Sequence, residues 1–293
     1  MYPAPIDRYS APATLGEALA LLAGAGDDTL CIAGGMSLMQ AIKARTVKPR
    51  HLIDLNGVAE LAGVRAAPDG VSIGAMTRYT EIARAPELRG AYEALCDAAA
   101  HVGDRQVRNR GTLGGSLCWN YLAACSPPTC LALGASIELA AAGGRRSVAI
   151  DEFLGTPLET ARRPDEVLVA VRLPPAPPRA GSAYKKWGLV TDALPVLGVA
   201  VFLQCDASGA CTAARVGVGG LAAGPKRAAA TEQALVGCRA ADTERIAAAF
   251  AAGAAGLPLQ SDIWATTEYR QLLFRDLGTQ VVATAFARAS GGQ

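Results

Sequence analysis

Gly103-Asp104-Arg105-Gln106-Val107-Arg108-Asn109-Arg110-Gly111-Thr112-Leu113-Gly114-Gly115-Ser116-Leu117 places three glycines within residues 111–115, directly after a polar stretch rich in arginine. Such a run turns the chain rather than continuing a helix or strand. A second turn of the same character, Ala33-Gly34-Gly35-Met36-Ser37, lies far upstream. Glycine reaches positive φ at little cost and has no Cβ, so successive N–H groups can converge on an anion that the backbone approaches closely. The upstream turn also opens a helical pattern, whose positive end adds to the attraction. Either turn alone is most often just a turn. Neither fits G-x-G-x-x-G or G-x-x-x-x-G-K-[ST], which disfavours a simple dinucleotide-fold dehydrogenase and a P-loop ATPase.

Working outward, residues 14–24 read as a helix behind a Thr cap and ahead of a Gly stop. Leu30 to Ala33 reads as a buried strand, Ser37 to Ala44 as a second helix, and His51 to Leu55 as a second strand. This order predicts a small N-terminal α/β lobe. From Leu61 to Leu173 the signals mix. Strands are expected at 71–75, 136–139 and 167–173, and helices at 80–88 and 92–102, a pattern of α+β type. Pro174-Pro175-Ala176-Pro177-Pro178-Arg179-Ala180-Gly181 reads as a linker, because closely spaced prolines continue neither a helix nor a central strand. Strands at 196–204 and 212–219 and helices at 228–236, 243–254 and 269–288 predict a last domain with helices on one face of a small sheet.

Composition removes several functional classes. A net charge of +2 with no long basic run lacks the footprint of a nucleic-acid binder. The longest apolar run, Ala193 to Leu203, is about half of the ~20 residues that span a bilayer, and the first residues lack the order of a signal peptide, so a cytoplasmic protein without a membrane span is expected. The two histidines, His51 and His101, have no neighbouring nucleophile or second ligand and read as structural imidazoles, which weakens hydrolase triads and histidine metal sites. Cys118, Cys125 and Cys130 follow no known cluster spacing and read as buried thiols.

At the two glycine turns the chain resembles the medium, FAD-binding subunit of molybdenum hydroxylases, the family of xanthine dehydrogenase and aerobic carbon monoxide dehydrogenase. The blocks carrying the resemblance are collinear: 33–38, 51–55, 71–77, 103–117, Val216-Gly217-Val218-Gly219-Gly220, Ser261-Asp262-Ile263-Trp264 and Tyr269-Arg270. The resemblance implies an α+β fold of the p-cresol methylhydroxylase type. An FAD-binding domain over 1–175, with subdomains at about 1–56 and 57–175, would precede a C-terminal antiparallel-sheet-and-helices domain over 182–290. Both turns would then share one ligand, the diphosphate of noncovalent FAD. Transferred position by position, Cys31, Ile32, Ala33, Gly34, Gly35, Met36, Ser37 and Leu38 would wrap it, with Val102, Thr112, Gly114, Gly115 and Ser116 as further contacts. Leu168 would lie at the end of a strand facing the cofactor, Cys125 where relatives hold the ribose with a carboxylate, and Lys185 beside the flavin ring.

The chain departs from the family where Tyr121 and Cys125 replace two aspartates and where Met36 stands in place of a commoner polar residue. The resemblance also implies partners: a molybdenum-cofactor large subunit that oxidises the substrate, an iron–sulfur small subunit with two two-iron clusters, and an electron acceptor that is NAD, a quinone or oxygen. No catalytic side chain and no metal ligand is then expected in this chain. Two alternatives remain at this stage, a free-standing flavin oxidoreductase of the same fold and a scaffold that has lost FAD.

Overall fold

The computed structural model describes residues 2–291. The N-terminal lobe contains β1 (Arg8–Ser10), α1 (Leu15–Ala23), β2 (Thr29–Ile32), α2 (Leu38–Ala44) and β3 (His51–Asp54). Its three strands are parallel in the order β1-β3-β2. Helix α1 begins where the sequence sets it: Thr14 accepts from the Glu17 N–H, and the Glu17 carboxylate returns to the Thr14 N–H, a reciprocal cap.

The middle lobe contains β4 (Val64–Ala67), β5 (Gly70–Gly74), α3 (Tyr79–Ile82), α4 (Glu93–Ala100), α5 (Arg105–Arg110), α6 (Leu113–Trp119), α7 (Ser126–Leu133), β6 (Ser136–Ala141), β7 (Gly144–Ala149), α8 (Ile150–Phe153) and β8 (Val167–Leu173). Its strands form an antiparallel sheet in the order β4-β5-β8-β6-β7. The C-terminal region contains β9 (Ala180–Trp187), β10 (Leu197–Cys205), β11 (Cys211–Gly219), β12 (Lys226–Arg227), α9 (Ala229–Leu235), α10 (Thr243–Gly253) and α11 (Thr267–Gly291). Its sheet is antiparallel, ordered β12-β11-β10-β9. The architecture is the expected α+β.

Strand alternation decides what each face of this last sheet meets. Val199, Val201 and Leu203 of β10 join Ala183 of β9 in the core under α10 and α11, whereas Ala200 and Phe202 join Tyr184 in the core of the middle lobe. The sheet is thus clamped between α11 and the helices α4 and α7. Gly217 makes the second contact possible, since a Cβ there would lie 1.9 Å from the Pro128 carbonyl oxygen. Arg288 of α11 ties the layers together by pairing with Asp97 of α4 at 2.6 and 3.0 Å.

Three expectations need correction. The helix foreseen over 80–88 is only α3 followed by a 3-10 turn at Pro86–Leu88, because a proline disfavours helical geometry at the residue before it, here Ala85. The linker ends earlier than expected: Ala180 and Gly181 already belong to β9, a strand the sequence reading missed. The Gly-rich turn expected at 111–115 is mostly the start of α6, with Thr112 as its cap, and it is flanked by α5, capped by Asp104, and by α7, neither of which was expected.

Candidate functional site

The two glycine turns touch. A Cβ on Gly34 would lie 2.0 Å from the Arg110 carbonyl oxygen and 2.9 Å from the Gly111 Cα, so only glycine lets the loops close on each other. Gly35 follows at φ +76°, a left-handed conformation that reverses the chain into α2. Among the described residues, the N–H groups of Gly34, Gly35, Met36, Ser37 and Leu38 have no protein acceptor. Five successive free donors at a turn form an anion-binding concavity.

The second loop acts differently. The Gly114 N–H donates to the Ala75 carbonyl at 2.9 Å, the Leu113 N–H to Thr77, and the Gly115 N–H to the Thr112 hydroxyl at 3.1 Å. Gly114 is buried, and a Cβ there would lie 2.6 Å from that of Ala75. Its missing side chain therefore serves the packing of α6 on β5. Its N–H is not aimed at a ligand, contrary to the simplest reading of the motif. Gly115 brings this loop against the first, with the Ala33 Cβ 3.5 Å from where a Gly115 Cβ would stand.

A polar network braces the first loop. Asn56 donates from its amide to the Ala33 carbonyl at 2.9 Å and contacts Asp54, which also accepts from the Tyr9 hydroxyl. Arg78 bridges Asn56 to the Arg110 carbonyl. Burial opposes the charge on Asp54, but bonds from Tyr9 and Asn56 and the nearby Arg110 cation outweigh it and hold this carboxyl below its usual range. Sequence reading did not single out Asn56, Arg78 or Arg110. Their signal was their position: Asn56 and Arg78 closely follow β3 and β5, where their side chains reach loop carbonyls, and Arg110 ends α5 at the glycine turn.

The remaining candidates divide. Val102 follows His101, the C-cap of α4, and its carbonyl accepts from Arg108 at 3.3 Å. Leu168 is buried in the middle lobe's core and pairs with Leu139. Cys31 is enclosed, and burial pushes its thiol up to about 11. Met36 lies exposed at the loop tip. Lys185 turns away: its ammonium donates to Gln280 of α11 at 2.5 Å. The period of two along β9 explains this, since Tyr184 and Lys186 share the face toward the middle lobe while Lys185 has the other.

On that face Cys125, Tyr184 and Lys186 come together. The buried Cys125 thiol is raised by its burial, with Tyr184 and Lys186 pulling the other way. The Tyr184 hydroxyl is buried against it without a well-formed hydrogen bond. Burial lowers the Lys186 ammonium, which the Cys125 thiol and Asp192 oppose. A free phenolic donor and a cation thus face the position where the resemblance places a ribose-binding carboxylate. The open donors of residues 34–38 suit an anion such as the diphosphate of FAD. His51 and His101 bond only Ser10 and the Asp97 carbonyl, and no metal-ligating group of side chains occurs among the described residues.

Known proteins resemble the chain along nearly its whole length. The profile of the FAD binding domain in molybdopterin dehydrogenase matches residues 5–176, and that of the CO dehydrogenase flavoprotein C-terminal domain matches residues 182–285. The chain is 32% identical to the 6-hydroxypseudooxynicotine dehydrogenase complex subunit alpha of Paenarthrobacter nicotinovorans, over 93% of this chain and 92% of the relative. It is also 32% identical to the carbon monoxide dehydrogenase medium chain of Afipia carboxidovorans, over 99% of each. Among solved structures, carbon monoxide dehydrogenase from Hydrogenophaga pseudoflava lacking the Mo-pyranopterin moiety superposes with a TM-score of 0.91 at 33% identity, over 98% of this chain and 99% of that one.

Proposed function

Since the chain belongs to the family of FAD-binding medium subunits of molybdenum hydroxylases, and is thereby part of an oxidoreductase, we propose that it relays electrons within such a complex. It would receive them from an iron–sulfur partner and deliver them to an external acceptor, while a molybdenum-containing partner oxidises the substrate. The observation that carries this reading is the contact of the two glycine loops beside five successive N–H donors that have no protein acceptor among the described residues.

Bound FAD supplies redox chemistry that accepts electrons singly and passes on two. The chain's residues then have binding and orienting roles. The N–H groups of residues 34–38 would hold the diphosphate, and the Asn56–Arg78 brace would keep that loop against Arg110. Tyr184 would donate its unpaired hydroxyl toward the sugar-like part of the cofactor, and Lys186 would set a positive potential near the ring that favours its reduced, anionic form. Cys125 would pack against Tyr184 and give a weaker bond than a carboxylate.

The test is to reduce the flavin of the isolated, FAD-loaded chain and offer it an artificial electron acceptor. Electrons should pass, while a purine, aldehyde or N-heterocycle offered as substrate should remain unchanged. Hydroxylation by this chain alone would favour a free-standing oxidoreductase, and a chain that takes up no flavin would favour a scaffold.

A further inference from the structure

Three cysteines meet at the end of the C-terminal sheet that lies away from the cofactor cleft. Cys205 ends β10, Cys211 opens β11 and Cys238 follows α9; all three are buried, carry free thiols and belong to the core under α10 and α11. Lys186, on the cleft side, pairs with Gly198 of β10, and Cys205 stands about 23 Å farther along that strand.

A bulge brings the first two together. Val218, Val216 and Ala214 alternate onto the core face of β11, so regular pleating would turn Thr212 inward and Cys211 outward. Instead the register shifts after Gln204, which pairs with Ala213, and Cys205 pairs directly with Cys211. Thr212 is exposed as the extra residue, and Cys211 faces the core beside Cys205. Their backbones do not bond each other. The Cys205 N–H donates to the Arg179 carbonyl and the Cys205 carbonyl accepts from the Arg179 Nε, whereas the Cys211 N–H donates to the Cys238 carbonyl and the Cys211 carbonyl accepts from the Gly237 N–H. Opposed residues of this non-hydrogen-bonded kind hold their Cα atoms about 4.5 Å apart, with side chains at their closest. A disulfide needs roughly 4.4–6.8 Å, so the two sulfurs can join without moving the strands.

Burial pushes the Cys211 thiol up to about 11, and the neighbouring Cys205 and Cys238 push it the same way. In the closed hairpin these thiols stay protonated and unreactive. Access comes through the tip: Asp206, Ala207, Ser208 and Gly209 are exposed, and fraying of this turn bares the two cysteines that flank it.

We propose that Cys205 and Cys211 are a site of reversible oxidative modification, joined as a disulfide when the chain meets a peroxide. One sulfur attacks the O–O bond and becomes a sulfenic acid, releasing the first water. The second sulfur then displaces the sulfenic hydroxyl, which leaves with the second thiol's proton as another water. The two electrons lost by the sulfurs are those that reduce the peroxide, and a small dithiol restores both thiols by exchange. The short turn keeps the second thiol within reach of the sulfenic acid, which favours the disulfide over further oxidation.

The experiment treats the FAD-loaded chain with hydrogen peroxide, blocks the remaining thiols under denaturing conditions and maps linked peptides by mass spectrometry without reduction. The eight free thiols should fall by two, with Cys205 joined to Cys211, and dithiothreitol should restore them. The melting temperature of the oxidised form should rise by a few degrees, because the link restricts the unfolded chain, with flavin content unchanged. Cys211→Ala should abolish the thiol loss, and Cys238→Ala should leave it in place. A disulfide that forms first between other cysteines, a pair carried on to sulfinic acid, or the same thiol loss in Cys211→Ala overturns the proposal. The peptide map of the unaltered chain decides the matter even where a variant fails to fold.

Discussion

Replacing Gly34 by alanine is a small perturbation aimed at the junction of the two loops. The new methyl would sit 2.0 Å from the Arg110 carbonyl oxygen, where carbon and oxygen ordinarily stay more than about 3 Å apart, so the loops must separate by about 1 Å. Forcing an atom into a packed contact costs about 1–3 kcal/mol, which a chain of this size tolerates without unfolding. The effect on the ligand is larger. Hydrogen bonds to a charged group contribute roughly 1.5–3 kcal/mol each, and shifting two donors off a diphosphate removes about 3–6 kcal/mol, a loss of about 10²–10⁴ in affinity. Flavin fluorescence quenching on apo-protein gives the dissociation constant, and circular dichroism with thermal melting checks the fold. Gly24→Ala serves as control, since nothing lies within 4 Å of its added methyl. A Gly34→Ala protein that binds FAD as tightly as the parent would refute the assignment of the loop junction to the diphosphate.

Further outcomes follow from the rest of the site. Lys186→Ala should lower the flavin midpoint potential by about 30 mV, the two-electron equivalent of ~1.4 kcal/mol, and Lys185→Ala should leave it unchanged; redox titration with dye mediators separates the two, and an equal shift in both would contradict the facing of β9. Cys125→Asp should tighten FAD binding several-fold to tenfold, because Tyr184 has a free hydroxyl to donate and Lys186 a nearby charge, and weaker binding would mean that the site does not receive a ligand hydroxyl. Gly114→Val should appear as a folding defect rather than a pure loss of cofactor, with a lowered melting temperature in flavin-free protein, since the side chain meets Ala75. Asp54, whose folded-state carboxyl is depressed, stabilises the fold above its unfolded value near pH ~4, and this contribution is lost as pH falls through the lower folded value. Asp54→Asn should therefore flatten the acid limb of a stability–pH curve, and an unchanged limb would show that the Tyr9–Asp54–Asn56 brace carries no weight.

Much of this architecture could be read from local signals. The Thr14 cap announced α1, the N-terminal α/β lobe followed from alternating strand and helix patterns, and the glycine turns marked the place where two distant loops meet. What escaped was set by tertiary contact. Strand β9 begins with Ala180 and Gly181, which look like linker, and Gly181 is needed because α11 lies against it, with the Ala285 carbonyl 2.2 Å from where a Cβ would be. Helix α7 opens with Ser126-Pro127-Pro128, which reads as a break until the prolines are seen in its first turn, where no N–H is missed. The choice between Lys185 and Lys186 depends on which face of β9 meets the middle lobe, and residue type alone does not fix that. The use of the Gly114 N–H by Ala75 is likewise invisible until β5 and α6 are packed together.

The most direct test of the account is the cofactor content of the native assembly purified through a tag on this chain. Acid precipitation should release one noncovalent FAD per copy of the chain. Iron, sulfide and molybdenum should remain with companion polypeptides that separate from it under denaturing conditions. Flavin retained on the precipitated chain, FMN in place of FAD, or an assembly with neither flavin nor companions would contradict it.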